Sequence, residues 1–512
     1  MSQHHPNREH ITLRISPCLI FGIVGMLCTT SSVANSQSAT EANLAVKMQQ
    51  LSEALIQTQN QLEQSQQELE QLRRQLTELQ QQIAQTNAPQ GDSASAARLS
   101  AAVEQIREQQ AIQETQIATH EQSKIASESK YPVKLSGLVL MTGFVNTKRM
   151  DSPVTPSLVL EGGGSTGASL QQTVLGLDAR GPHLFGALTH ADLRVDFDGA
   201  ANSISSVSNA YAGNLVRLRT VHAALDWRNT QAFFLLDHTI VAPNTPTSLT
   251  AVALPALAWS GNLWTWNPQL GITHDVPFSD AGRLRLQSSL ISVGNPAQIY
   301  GSSAATTTGI VTPTTAEMSR WPGAEGRVAI LNGTEDSGLQ LGVGGLFAPH
   351  QAVGGTRFNS WAGTIDYRIP LPGRLELSGS GYSGQALGGL GGGAFKDYVF
   401  IANPALPSGF SFRTLDDFGG WAQLKERANV RLEFNAAFGT DQVPASQLRP
   451  YAGPENSYYL NQARNRTYTG NVIYRPTAYL MFSMEYRHIQ SSPVSQYTSA
   501  GDVIGIATGY RF

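Results

Sequence analysis

From residue 131 to the end, apolar and polar side chains alternate along short segments bounded by Gly, Pro, Asn and Ser. Residues 187–198 show the pattern most clearly. Ala187, Thr189, Ala191, Leu193, Val195 and Phe197 fall on one side, and His190, Asp192, Arg194, Asp196 and Asp198 on the other. A period of two is that of a β-strand, and an apolar face backed by charge suits a strand between lipid and water. Sixteen further segments read this way: 134–146, 171–180, 215–228, 231–241, 259–266, 269–276, 283–293, 323–331, 338–347, 358–368, 373–383, 419–427, 429–439, 466–475, 478–490 and 501–512. A single-chain bacterial barrel prefers an even number of strands, so one of these seventeen segments is in excess. The expectation is a transmembrane antiparallel β-barrel of 16 strands, with 18 as the alternative.

Before residue 131 the period is seven. Met48, Leu55, Leu62, Leu69, Leu76 and Ile83 fill one core position, and Leu44, Leu51, Thr58, Ser65, Leu72 and Leu79 the other. Gln, Glu and Arg dominate the remaining positions, which predicts a supercoiled helix over 41–86. So thin a core needs sister chains, and a homotrimer is the preferred state. Asn87-Ala88-Pro89-Gln90-Gly91-Asp92 breaks the helix, and 87–98 reads as a linker. A second, less regular helical stretch covers 99–130. The arm serves as a spacer or reaches a partner such as the cell wall. At 1.5 Å per residue, ~40 helical residues extend roughly 60 Å.

Residues 1–34 read as a signal peptide. Arg8 and Arg14 supply its positive region, Leu19 to Leu27 its apolar core, and Ser32-Val33-Ala34 its cleavage site. A lipoprotein signal ending at Cys28 would put bulky Leu27 where a small residue belongs. The two cysteines, Cys18 and Cys28, both lie within this segment, so the mature chain uses no disulfide. No later stretch reaches 18 consecutive apolar residues. That leaves the closed barrel as the route across a bilayer, with every backbone polar group paired. The barrel is assigned to 131–512.

Composition agrees. Residues 1–130 hold 9 Lys+Arg and 13 Asp+Glu, and the remainder hold 26 and 25, so the barrel is nearly neutral. No basic block marks a nucleic-acid partner. The 11 histidines show no HExxH or other metal-ligand spacing, and no G-x-S-x-G turn is present. An enzyme is not expected, nor a metal or cofactor.

The last strand carries its own signal. Ile504, Ile506, Thr508, Tyr510 and Phe512 share one face, and a terminal Phe with Tyr two places earlier reads as the mark recognised by barrel-assembly machinery. Trp227, Trp264, Trp266, Trp361, Trp421, Tyr474, Tyr479 and Tyr486 are candidates for aromatic girdles in contact with outer-membrane lipid. The short turn at Arg228-Asn229 is expected to be periplasmic, and the Gly-rich stretches 384–397 and 301–319 to be outer loops. By resemblance to porins, the uncharged 242–258 segment would fold inward and narrow the pore.

Selectivity would then fall to charges on the wall. The pore-lining candidates are Arg217, Arg219, Arg283, Arg285, Arg180, Arg194 and Arg327, with Asp192 and Asp196; Asp178, Asp237 and Glu325 join the acids. Cross-strand pairing of Arg with Asp is the alternative use of these residues. Arg217 with Arg219, and Arg283 with Arg285, are the sharper candidates, since like charges two apart share a face. Arg binds carboxylate bidentately, which predicts modest anion selectivity.

The export signal, the Gln-rich heptad arm, the first strand KLSGLVLMTGFVN, the Arg-rich LVRLRTVHAALDW and the terminal GYRF together resemble the DcaP-like trimeric outer-membrane porins. The resemblance covers most of the mature chain as pattern and architecture. It implies trimers of sixteen-stranded barrels with periplasmic coiled coils, passing small anions such as dicarboxylates. Two alternatives stay open: a sucrose-type sugar porin, which also pairs a coiled coil with a barrel, and a structural tether joining outer membrane to cell wall.

Overall fold

The computed structural model describes residues 132–199, 215–296, 313–334, 338–352, 354–406, 409–453, 458–494 and 497–512. The signal peptide, the coiled coil with its core residues, the linker and the second helical segment lie outside the described residues.

Nineteen strands are described. The first nine are β1 (Val133–Met150), β2 (Val159–Ser169), β3 (Val174–Arg180), β4 (Leu188–Gly199), β5 (Leu215–Asp226), β6 (Thr230–Asp237), β7 (Asn267–Pro277), β8 (Gly282–Ile291) and β9 (Gly323–Asn332). Then follow β10 (Leu339–Gln351), β11 (Arg357–Leu371), β12 (Leu375–Gln385), β13 (Tyr398–Ala402), β14 (Phe410–Thr414) and β15 (Asp416–Arg427). The last four are β16 (Leu432–Gln442), β17 (Gln462–Tyr474), β18 (Leu480–Pro493) and β19 (Ser499–Arg511). Every pairing between neighbouring strands is antiparallel, and β13 with β14 forms a separate hairpin.

The sheet closes where β1 meets β19, from Leu138 opposite Arg511 to Asn146 opposite Val503. Phe512 and Gly137 exchange two backbone bonds of 3.0 Å and extend the seam by one step. Closure removes the exposed edge that a bilayer would not tolerate. Strands β2 and β3 both pair with β1, the first along its second half and the second along its first. Between Leu138–Val174 and Thr142–Ser169 five residues step against four, so the two are one wall strand broken by a bulge. Counted so, the wall is a closed barrel of sixteen antiparallel strands.

Of the seventeen segments read as strands, sixteen coincide with wall strands. The exception is 259–266, which lies in the connection from β6 to β7 and forms no ladder. Its alternation of Trp, Leu and Thr packs inside the barrel instead. The Gly-rich β2 carries almost no apolar signal, and the sequence reading missed it.

Burial alternates along the wall. On β11, Phe358, Ser360, Ala362, Thr364 and Asp366 are buried inside, while Trp361 and Ile365 are exposed outside. On β19, Ile504, Ile506 and Tyr510 are exposed where Val503 and Ala507 are buried. Exposed Leu, Ile, Phe and Val make the outer belt, and hydroxyl, amide and charged side chains dominate the interior. A soluble sandwich would bury the apolar face and wet the polar one. No described helix is long and apolar enough to cross a membrane. The connections divide by length: turns such as 227–229 and 372–374 lie at one end, and long loops at the other.

Candidate functional site

Two long-end connections fold into the lumen. The first, residues 238–266, runs along the inner wall as a hoop. Thr239 binds Glu325 of β9, and Thr364 of β11 donates to the Val241 carbonyl at 2.7 Å. Asn244 takes a 3.3 Å bond from Gln340 of β10. Gln423 of β15 accepts from the Thr247 amide at 2.7 Å, and Asn471 of β17 donates to its carbonyl at 2.8 Å. Ser248 reaches Glu485 of β18 at 2.5 Å. Gln172, in the bulge between β2 and β3, donates to the Thr250 carbonyl at 2.9 Å and accepts from the Val252 and Ala253 amides at 2.7 and 3.1 Å. Arg217 of β5 closes the circuit on the Ala253 carbonyl at 2.8 Å.

The hoop then turns back, and Ser260 meets Thr467 of β17 at 2.8 Å. At Gly261 the backbone has φ +96°, and a Cβ there would lie 2.1 Å from the Gly420 carbonyl oxygen, so only glycine fits. Inward folding of the uncharged 242–258 segment is therefore observed. The bulge at Gln172 has a local reason, since it turns an amide side chain inward to hold three backbone groups.

The second connection, 386–397, was expected outside as a flexible loop. It is buried. Leu387, Leu390, Ala394, Phe395 and Lys396 have no exposed surface. Its glycines let the backbone lie against the wall, and its polar groups are pinned there. Asp417 of β15 accepts from the Gly393 amide and Asp441 of β16 from the Ala394 amide, both at 2.7 Å. The Lys396 ammonium donates to the carbonyls of Ala394, Tyr459 and Gln462 at 2.8, 3.1 and 2.5 Å. Asp397 accepts from Gly388 and Gly389. Burial pulls the Lys396 ammonium down to about 7 against the upward pull of Asp441 and Asp417, and burial pushes the Asp397 carboxyl up to about 7. The sequence offered one sign of this: apolar Leu387, Leu390 and Phe395 stand among the glycines where an exposed loop would carry Ser, Asn and Asp.

The two insertions meet in an aromatic string. Trp266 and Trp264 lie 5.5 Å apart, Trp264 and Trp259 5.7 Å, Trp259 and Phe395 4.8 Å, and Phe395 and Tyr459 5.0 Å. Trp264 and Trp266, read as girdle residues, are thus inside, as is buried Trp421, because each sits on a lumen-facing segment. Trp227, Trp361, Tyr474 and Tyr486 are exposed on the outer surface, as a girdle requires.

The inner wall from β3 to β8 carries most of the candidate charges. Arg194 binds Asp178 at 2.5 Å with Asp192 at 3.7 Å. Arg217 grips Asp196 bidentately at 3.0 and 2.7 Å. Arg219 shares that carboxylate from 3.7 Å, and its Nη1 makes no hydrogen bond. Both guanidinium groups lie over the Trp266 ring, at 5.0 and 5.1 Å from its centre. Arg283 and Arg285 share Asp275 at 3.2 and 2.8 Å. Arg217 and Arg219 are thus held around Asp196, with Asp198 3.6 Å from Arg217, and Arg283 and Arg285 around Asp275. Arg327 is different: it is buried between Asp366, at 2.8 and 2.7 Å, and Gln287, and serves the wall. Arg180 ends β3 at the short-turn rim, exposed and opposite His190. Asp192 binds His222 at 3.0 Å, which also reaches Asp237 at 2.7 Å. The sequence reading missed this histidine bridge and Gln172, because neither alters a strand's alternation. Among the described residues no cluster of His, Cys, Asp and Glu could hold a metal ion.

No family model matches the chain, and no curated protein matches it in sequence. Solved structures do match. The outer membrane channel DcaP of Acinetobacter baumannii aligns at 14% identity over 75% of this chain and 99% of that one, with a TM-score of 0.54. The OprB of Pseudomonas putida aligns at 10% identity over 76% and 96%, TM-score 0.44. An anion-selective porin from Comamonas acidovorans aligns at 10% over 75% and 100%, TM-score 0.43. The described residues form a closed sixteen-stranded barrel with the fold of the DcaP outer membrane channel, carried by a distant sequence.

Proposed function

We propose that this protein is a porin of the bacterial outer membrane, through which small solutes diffuse passively with modest anion selectivity. The observation that carries the reading is the placement of Arg217 and Arg219 beside the hoop, over Trp266 and sharing Asp196, with Arg283 and Arg285 similarly sharing Asp275. Paired guanidinium groups on the lumen wall set planar donors and positive charge along the path of a passing anion. The resemblance of the sequence to the DcaP-like porins implies small dicarboxylates as the solute class. In this reading the long-end loops face outward, the short turns face the periplasm, and the heptad arm holds three barrels together on that side.

Planar-bilayer recordings across a salt gradient test it. The reversal potential should favour anions, and replacing both Arg217 and Arg219 by Ala should move it toward cations. A cation-selective wild type would reject the reading. An unmoved potential in the double variant would reject the role of the pair.

A second reading, a sugar-type porin, would rest on the half-buried rings of Trp264, Trp266 and Tyr459, since ring faces pack against the C–H faces of sugars. Liposome swelling with dicarboxylates, sugars and amino acids separates the two. Faster entry of disaccharide than of dicarboxylate of similar size would favour sugar.

A further inference from the structure

The lumen arginines of the preceding sections all stand beside a carboxylate, except Arg180 at the rim. Two further arginines stand elsewhere. On β17 the residues Asn465 and Thr467 point into the lumen, where they bind the Trp259 carbonyl and Ser260. The alternate residues Arg464, Arg466 and Tyr468 therefore face outward. The residues opposite them across the sheet are Gln442 and Thr440 on β16 and Ser492 and Gln490 on β18, all uncharged. Neither arginine makes a side-chain hydrogen bond or ion pair among the described residues, and the Nε atom of each is buried without a partner. Two guanidinium groups without a carboxylate partner on one outer face of a barrel form a site whose charge an anion would match.

Their height says which kind. On the outer face of β17 the apolar belt ends at Tyr468, on β18 at Tyr486 and on β19 at Ile504. Beyond these, toward the long-loop end, come Arg466, His488 and Asp502. The pair thus sits where the hydrocarbon gives way to headgroups. Below it, past one pair of aromatic rings, the wall is hollowed. Ala436 and Gly470 face each other across β16 and β17 and make a low floor, walled by Phe434, Val472, Leu424 and Met484, in a groove of about 510 Å³. The Phe438 and Tyr468 rings, 4.8 Å apart, lie between the groove and the arginines. Gly470 is four residues from Arg466, roughly 13 Å along the strand.

We propose that the outer face of β16–β18 binds a phosphorylated lipid, its phosphate held between Arg464 and Arg466 and one acyl chain laid along the Ala436–Gly470 floor. The two guanidinium groups supply charge-assisted bonds to phosphate oxygens. The groove accepts a chain that a flat belt of large side chains would keep at a distance.

Native mass spectrometry of the full chain in detergent tests this with dilauroyl phosphatidate, dilauroyl glycerol and inorganic phosphate as probes. Wild type should retain phosphatidate through activation that strips the glycerol lipid. Arg464→Ala with Arg466→Ala should lower that retention about tenfold, and the double Lys variant should keep most of it. Gly470→Leu, which fills the groove and leaves the arginines alone, should also lower it. Heat-dependent gel mobility confirms that each variant is folded. Equal retention by the double Ala variant overturns the proposal. So does displacement of the lipid by equimolar inorganic phosphate, which would mark a free-anion site. A change in subunit number with lipid retention unaltered also overturns it, since the pair would then serve contact between copies.

Discussion

At the scale of single residues, the insertion 386–397 depends on two buried groups with opposite pH behaviour. Asp397 titrates at about 7 in the folded protein, pushed up by burial, against 3.8 for the free side chain. The folded state therefore holds a proton that the unfolded chain has lost, and stability falls as pH rises from about 4 through 7. Lys396, pulled down to about 7 from 10.5, acts in the other sense: its penalty is full below 7 and fades as pH climbs. Asn at 397 copies the protonated acid. Its Oδ1 still accepts from Gly388 and Gly389, and its amide occupies the place of an Oδ2 that has no partner. Asp397→Asn should thus match wild type in thermal midpoint near pH 4 and exceed it at pH 8.5, by circular dichroism in detergent. A variant less stable at both values would show that the charged form is the one the fold requires.

At the scale of elements, the wall strands and the inserted loops obey different physics, and that decides what a sequence can reveal. A wall strand separates lipid from water, so its side chains must alternate; sixteen strands were legible for this reason. Ile506 makes the rule testable, being 59% exposed on the outer face of β19. Ile506→Arg should destabilise the barrel by roughly 2–4 kcal/mol if the site lies near the bilayer midplane, measured by urea unfolding in vesicles. Indifference to the charge would mean that this face does not meet lipid. The inserted loops have no such rule. Segment 259–266 alternates like a strand yet packs on the inner wall, and 386–397 is Gly-rich like an exposed loop yet is fully enclosed. Their places are fixed by scattered partners (Gln172, Gln423, Glu485, Asp417 and Asp441) that lie far off in sequence and carry no local pattern. The arginine pairs at 217/219 and 283/285 were visible as like charges on one face, but the aspartate each pair shares was not. Gln172 offers the sharpest test of the hoop. Gln172→Ala removes three hydrogen bonds to residues 250–253 and should leave the folded barrel intact while adding rapid closures to single-channel records. Traces as quiet as wild type would mean the remaining anchors suffice.

At the scale of the whole molecule, the barrel closes on itself through β1 and β19 and needs no second chain to complete its wall. The arm is the opposite case. If 41–86 is the proposed coiled coil, Met48, Leu55, Leu62, Leu69, Leu76 and Ile83 would form one thin stripe, which a lone helix would leave in water. In the proposed reading the demand for sister chains would come from the arm and the channel from the barrel, so the two should separate cleanly. Deleting residues 41–125 while keeping the signal should leave conductance per barrel unchanged, because none of the hoop, the aromatic string or the arginine pairs lies in the deleted stretch. It should also shift the detergent-solubilised protein from three subunits toward one, as native mass spectrometry reads. Lost trimers with normal conductance would place oligomerisation in the arm. Retained trimers would transfer it to the barrel's outer face, where exposed Leu, Ile and Phe side chains would have to pack between copies. A third result, normal trimers and conductance with cells that leak periplasmic protein, would favour the tether and make the barrel chiefly an anchor.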